Sequence, residues 1–326
     1  MGQPDPRRHP GSHPRGAELA HRGFYRLLGR CPDGADTAHL PGETIMTDME
    51  SIGLIVLFSF LALWLVELTG GRLRRSPQPR RDFGFMLFGM FSNLVLAGAA
   101  IGSLTGWLVI QLWPHGANSL AFVPFWLAFP VIFVAEEMAH YWLHRASHQA
   151  RWLWKIHRTH HSAQDLNVAV VYRYNFFWVF LLPQTWMGAF AVYFGQSTAY
   201  FTAILITFFV NLATHSSFRW DLWLRERTPA FLQPTWWVIE RIITLPDTHH
   251  AHHAYGRSAH PNGNYAVTLF LFDVIFGTAK IPNRRQENYG LPISPRLHWA
   301  EELFWPLVRK PLLPKPGTAR AKPAGE

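Results

Sequence analysis

Apolar positions follow one another with no polar face from Ser51 to Leu68, SIGLIVLFSFLALWLVEL, with one charge near the end. That is about the length a helix needs to cross a hydrocarbon core of roughly 30 Å. Residues 84–113 carry no charge and predict a second crossing, tilted or broken near Gly98 and Gly102. A third run, Leu120 to Leu143, predicts the return. A fourth, Phe176 to Ala213, is interrupted at Gly195-Gln196-Ser197 and is long enough for an out-and-back helical hairpin. Nothing after residue 213 reads as a clean span; RWDLWLRERTPAFLQPTWWVIERII, near residues 219–243, mixes charge with Trp and reads as interfacial. The pattern predicts an all-α integral membrane protein with about four to five transmembrane helices.

Charge orients these spans. GGRLRRSPQPRRD, with five arginines, lies between the first two runs, and by the positive-inside rule it is cytoplasmic. The third run then ends on that same face, as does the return leg of the hairpin. Residues 1–45 are rich in Pro, Gly, Arg and His and read as a disordered basic tail, with Met46 before the first apolar run as an alternative start. The expected organisation is this tail, transmembrane helices over 46–130, a catalytic region over 131–280, and a C-terminal extension over 281–326, basic and Pro-rich at its end.

Composition agrees: 49% of residues are apolar and 16% charged, with fifteen Trp and twenty-five Phe. The net charge of +9 gathers beside the apolar runs and in the tails, which marks topology and lipid contact and gives no reason to expect nucleic acid. A single cysteine, Cys31, excludes an intramolecular disulfide and any cysteine-built zinc or iron–sulfur site.

Histidine carries the candidate chemistry. On a helix His140, His144 and His148 share one face, with Glu136 one turn earlier. His157, His160 and His161 form H-x-x-H-H, and His249, His252 and His253 repeat it, so that each triad can offer three imidazoles to one spot. His215 closes the hairpin's return leg. Packing gains nothing from adjacent histidines, a haem needs only one or two axial ligands, and the H-E-x-x-H of a zinc hydrolase is absent. Eight or more imidazoles exceed what one ion can use, so two ions are the economical reading, and redox-active iron suits a nitrogen-rich field. His115 and His298 read as isolated polar residues. Glu136, Glu137 and Asp247 are candidates to orient ligating histidines. Arg145 and Lys155 read as lipid-phosphate contacts, Asp273 as a turn cap or site support, and Phe176, Phe177 and Trp178 as a candidate channel wall. A metal transporter would spread ionisable groups towards the bilayer midplane, whereas these clusters gather at one end.

HYWLHRASH at 140–148, LWKIHRTHHS at 153–162, His215, the H-x-x-H-H at 249–253 and GNYAVTLFLFDVIFGT at 263–278 together resemble the fatty acid hydroxylase superfamily of sterol desaturases, sterol methyl oxidases, alkylglycerol monooxygenases and lipid hydroxylases. The resemblance implies a cytoplasmic, helical, histidine-rich diiron cap. It implies two non-haem iron ions held by His144, His148, His157, His160, His161, His249, His252 and His253, with His140 and His215 as additions. It implies O₂ as co-substrate and hydroxylation or desaturation of an unactivated C–H bond in a membrane lipid. With no G-x-G-x-x-G and no cysteine cluster, electrons come from a separate donor of the ferredoxin, cytochrome b5 or reductase type. The acyl-lipid desaturases of the separate three-box family are the nearest alternative. Two departures stand out: Asn264-Tyr265-Ala266 replaces the usual NYG, and Arg219 occupies a position where some relatives place a second histidine.

Overall fold

Each of the four apolar runs is helical in the computed structural model, which describes residues 41–291 and 297–310. Of the tail expected to be disordered over 1–45, residues up to 40 lie outside the described residues, while 41–45 are helical and form the start of a helix that continues into the first apolar run. The basic end from Pro311 also lies outside the described residues. Contacts divide the chain after Ser51 into two units, and the larger, Ile52–Glu326, holds every histidine singled out above. Helix α1, Pro41–Thr69, contains the first run. A 3₁₀ turn at Arg72–Arg75 carries three of the arginines of the basic loop. Helix α2, Pro79–Phe91, starts with proline in its first turn, where the missing N–H has no helical partner to lose. It widens into a π-helical stretch, Ser92–Ile101, and continues as α3, Gly102–Leu112. The break expected near Gly98 and Gly102 is thus a change of helical winding within a continuous helix.

Helix α4, Phe125–Gln149, carries the first histidine row, and α5, Arg151–His161, the first triad. A 3₁₀ turn at Val168–Tyr172 follows, its start capped by the Asn167 side chain, which accepts from the Ala169 N–H. The hairpin is built from α6, Trp178–Leu181, α7, Pro183–Tyr193, and α8, Ser197–His215. It turns where expected: Gly195 has φ +86°, and an added Cβ would press on Ala121. The interfacial stretch forms α9, Trp220–Arg227, a 3₁₀ turn at Ala230–Leu232, and α10, Gln233–Ile242. Helix α11, Pro246–His253, bears the second triad, and α12, Leu271–Ile275, and α13, Trp299–Phe304, complete the described elements. No strand occurs among the described residues; a single antiparallel bridge joins Ala254 to Tyr289. Among the described residues two helical stretches, Ser51–Thr69 and Ser197–His215, are long and apolar enough to cross a membrane.

Packing brings the histidine-bearing ends together. Helix α4 lies against both α5 and α8, α11 packs on α8, and α3 packs on α7. Helix α2 meets the 168–172 turn so closely that a Cβ on Gly89 would overlap the Tyr172 carbonyl oxygen. Phe60, Met86, Ile101, Ile156, Val171 and Trp178 fill the largest apolar cluster. The one charge of the first run folds inward. Glu67 is buried and accepts from the N–H of Val168 (3.0 Å), the N–H of Ser217 (2.7 Å) and the Ser216 hydroxyl (3.2 Å). A buried carboxylate is tolerable when donors surround it, and this one ties α1 to the turn that follows His215. At the other end, Glu302 carbonyl accepts from Thr159 Oγ1 (2.7 Å) and Asn175 Nδ2 (2.9 Å), while Arg158 pairs with Glu301 (2.8 Å). These bonds hold α13 on α5.

Candidate metal centre

Nine of the ten singled-out histidines converge into two groups, and each triad is divided between them. The first group is His144 and His148 from α4, His157 and His161 from α5, and His252 from α11. The second is His160 from α5, His215 at the end of α8, and His249 and His253 from α11. Within each group the candidate ligand atoms lie within 4.8 Å of one another. The expectation that a triad serves one spot therefore needs correction. At about 100° per residue, positions i and i+4 are about 40° apart, whereas i+3 lies about 60° to the other side. The outer members of each triad face one group and the middle member faces the other. The two triads are used in opposite senses: α5 sends two rings to the first group and one to the second, and α11 does the reverse.

Main-chain carbonyls set the ring orientations. His144 Nδ1–H donates to the Tyr265 carbonyl (2.6 Å), His252 Nδ1–H to that of Gly263 (2.7 Å), and His215 Nδ1–H to that of Asn211 (2.8 Å). A neutral imidazole has one donor, so these bonds leave Nε2 as a lone pair pointing into the group. Nε2 of His144, His148, His252 and His253 is buried with no protein partner. Other Nε2 atoms face each other: His157 and His161 at 3.1 Å, His215 and His249 at 3.0 Å, His215 and His160 at 3.3 Å. Clustered lone pairs without donors are costly when empty and favourable around a cation. The residues fit metal ions with all-imidazole ligand sets.

Burial, reinforced by neighbouring imidazoles, holds His157, His161, His249, His252 and His253 well below the ordinary histidine range. Burial draws His144 down to about 4. All are neutral at pH 7, the form that ligates. The unfolded chain takes up protons near pH 6.5 while the folded, metal-free chain resists them, so this contribution to stability is present above 6.5 and is lost through the window down to about 4. Metal-free protein in detergent is expected to show a falling Tm between pH 7 and 5, measured by tryptophan fluorescence, and the same fall from a higher Tm once metal is restored.

The remaining singled-out residues lie elsewhere. His140 stands outside both groups, its ring 6.2 Å from that of His144 and its Nδ1 3.4 Å from Gln184 Nε2. Glu137 accepts from Thr207 Oγ1 (2.8 Å) and the N–H groups of Thr268 (2.8 Å) and Leu269 (3.0 Å). It touches no imidazole and anchors the loop whose Tyr265 carbonyl holds His144. Glu136 contacts Thr207 at 3.4 Å, with its other oxygen buried and unpartnered. Asp247 accepts from Arg219 Nη2 (2.9 Å) and from the N–H groups of Asn283 (2.7 Å) and Arg284 (2.9 Å). A carboxylate at the start of α11 finds main-chain donors and a guanidinium within reach, so it clamps the helix and leaves the histidines to carbonyls. Asp273 receives the N–H groups of Tyr265 (2.9 Å) and Ala266 (2.8 Å) and so braces the Gly263–Tyr265 segment. Sequence reading missed that this segment supplies two of the orienting carbonyls; its run of Gly-Asn-Tyr, with Asn264 at φ 57°, was the available signal.

Comparison with known proteins places this geometry. Residues 129–278, which contain both histidine groups, match the fatty acid hydroxylase family. Over this segment, just under half of the chain, the protein resembles the fatty acid hydroxylase superfamily. Within the superfamily it is similar to alkylglycerol monooxygenase from Xenopus tropicalis, 30% identical over 160 residues, which is 49% of this chain and 32% of the relative. The Homo sapiens alkylglycerol monooxygenase is 28% identical over 166 residues, 49% of this chain and 32% of its own. That of Danio rerio is 30% identical over 194 residues, 56% and 37%. The chain thus spans about a third of the length of the curated superfamily relatives it matches. No solved structure matches it.

Proposed function

We propose that the protein is a membrane-bound oxygenase that binds two iron ions in its two histidine groups and uses O₂ to hydroxylate or desaturate an unactivated C–H bond of a lipid. The observation that carries this reading is the pair of buried, carboxylate-free imidazole groups with inward lone pairs, inside the segment shared with lipid-oxidising relatives. His144, His148, His157, His161 and His252 would hold one ion, and His160, His215, His249 and His253 the other. Bound iron supplies O₂ activation and the one-electron steps that break a C–H bond.

The chain's own residues supply position and dryness. Carbonyls of Tyr265, Gly263 and Asn211 fix the tautomers of His144, His252 and His215 before any ligand arrives. The Trp178 ring packs 4.4 Å from that of His157 and continues into the apolar cluster, so an apolar wall adjoins the first group. A lipid chain lying along that wall would bring a methylene to the group while excluding water. The arginine-rich turn and the histidine groups are read as sharing the cytoplasmic face, with a separate protein donating electrons. The names of the relatives favour oxygen insertion and make an alkylglycerol the first substrate to test.

The experiment is metal analysis of the purified protein followed by lipid-dependent O₂ uptake with a reductant and mass spectrometry of the product from ¹⁸O₂. Two irons per chain and one labelled oxygen in a lipid alcohol are expected; an unlabelled alkene would redirect the reading to desaturation. Tight metal binding with no O₂ uptake on any lipid tested would instead favour a metal-carrying role.

A further inference from the structure

The first histidine group is not sealed on all sides: the Trp154 indole lies 5.1 Å from the ring of His148 and 5.6 Å from that of His161, centroid to centroid. Trp154 is half-buried, so one edge meets the histidines and another meets the outside. Its neighbours on α5, Arg151, Trp152 and Lys155, are exposed, Trp152 by 56%. From Met138 to Gln164 the chain carries Arg145, Arg151, Lys155 and Arg158 and no carboxylate. Arg158 pairs with Glu301, and the other three have no ion-pair partner among the described residues. Arg145 lies over the Trp142 ring and Lys155 over that of Trp305. The loop covering the other side of His148, through Pro261, adds Arg257, again with no carboxylate between His253 and Asn264.

We propose that Trp154 and its cationic rim, Arg145, Arg151 and Lys155, form the electron entry port, where an acidic one-electron carrier protein docks and reduces the first metal position through the Trp154–histidine contact. This rests on the two-iron reading above. Lipid headgroups could use the same charges, but they would leave unexplained why a single indole spans from this rim to two candidate ligands. Electron transfer weakens steeply with the gap between carriers, and the half-buried Trp154 ring lies within 5.1 Å and 5.6 Å of two rings of the first group. Like-charged rims of this kind steer complementary partners to a small, transient interface. Each encounter oxidises the donor by one electron and reduces a ferric centre to ferrous. Two encounters supply the two electrons that R–H + O₂ + 2 e⁻ + 2 H⁺ → R–OH + H₂O requires.

An acidic two-iron ferredoxin is the probe. Its binding to metal-free protein in nanodiscs, followed by surface plasmon resonance, should weaken about tenfold or more at low salt in the Arg151→Glu/Lys155→Glu variant, and the difference should shrink as salt is raised. In iron-loaded protein, stopped-flow reduction by ferredoxin is compared with reduction by photoreduced deazaflavin, a small donor. Trp154→Leu should bind ferredoxin as before yet lower the ratio of the two rates about tenfold or more, and Trp154→Phe should recover most of it. Unchanged ferredoxin binding in the charge-reversed variant, absence of ferredoxin binding altogether, or an unchanged rate ratio in Trp154→Leu overturns the proposal; the first is the result expected if the rim serves only lipid headgroups. A protein that takes up no iron defeats the two-iron reading instead, and the binding measurement on metal-free protein still decides the docking surface.

Discussion

His252→Ala is expected to abolish turnover and to lower bound iron from two ions towards one, with membrane insertion intact. His252 is the single member of the first group that comes from α11; the other four come from α4 and α5. Its ring lies 4.6 Å from that of His144, 4.7 Å from His148 and 4.6 Å from His161, so it closes the group from the open side. Loss of an outer partner of a metal ligand costs about 10–100-fold in affinity or activity, and loss of a ligand should exceed that. Iron is counted by plasma mass spectrometry and activity by product formation. His250→Ala is the matched control. His250 is buried on the same helix but bonds the Tyr289 hydroxyl (2.8 Å) and the Ser216 carbonyl (3.1 Å). Its truncation should cost about 1–3 kcal/mol of stability through two unpaired groups while both irons remain. Turnover retained by His252→Ala would refute the assignment of the first group.

Arg219→Ala should be the most destabilising change away from the histidines, by about 3–5 kcal/mol. The guanidinium is 2% exposed and joins Asp221 (3.0 and 2.9 Å) and Asp247 (2.9 Å). Asp221 in turn accepts the Asp247 N–H (2.7 Å), so the arginine neutralises two carboxylates that clamp the start of α11. Removing it leaves both charges buried with main-chain donors but without a counter-charge. Denaturation in detergent, followed by circular dichroism, should show a lower midpoint. Adding Asp247→Asn to Arg219→Ala should recover part of the loss, because one stranded charge is gone. A loss below about 1 kcal/mol would show that the clamp contributes little. The substitution also tests whether Arg219 secures the helix bearing the second triad.

Much of this protein could be read from the chain alone, because the decisive signals are local. Uncharged runs of sufficient length form helices wherever they lie, and the expected hairpin turn sits at Gly195 because a left-handed residue ends the helix there. The histidine spacings announce metal chemistry because few other uses need adjacent imidazoles. What those spacings determine is an angle about one helix axis. Which rings share a point depends on how α4, α5, α8 and α11 cross, and these contacts join residues up to about a hundred positions apart in the chain. Helix angle alone sets the middle ring of each triad apart from the outer two; only the tertiary structure could place a second group to receive it, leave His140 outside, and turn Asp247 to Arg219. Periodicity constrains the direction of a side chain from its own helix, whereas a metal site is a point where directions from several helices meet.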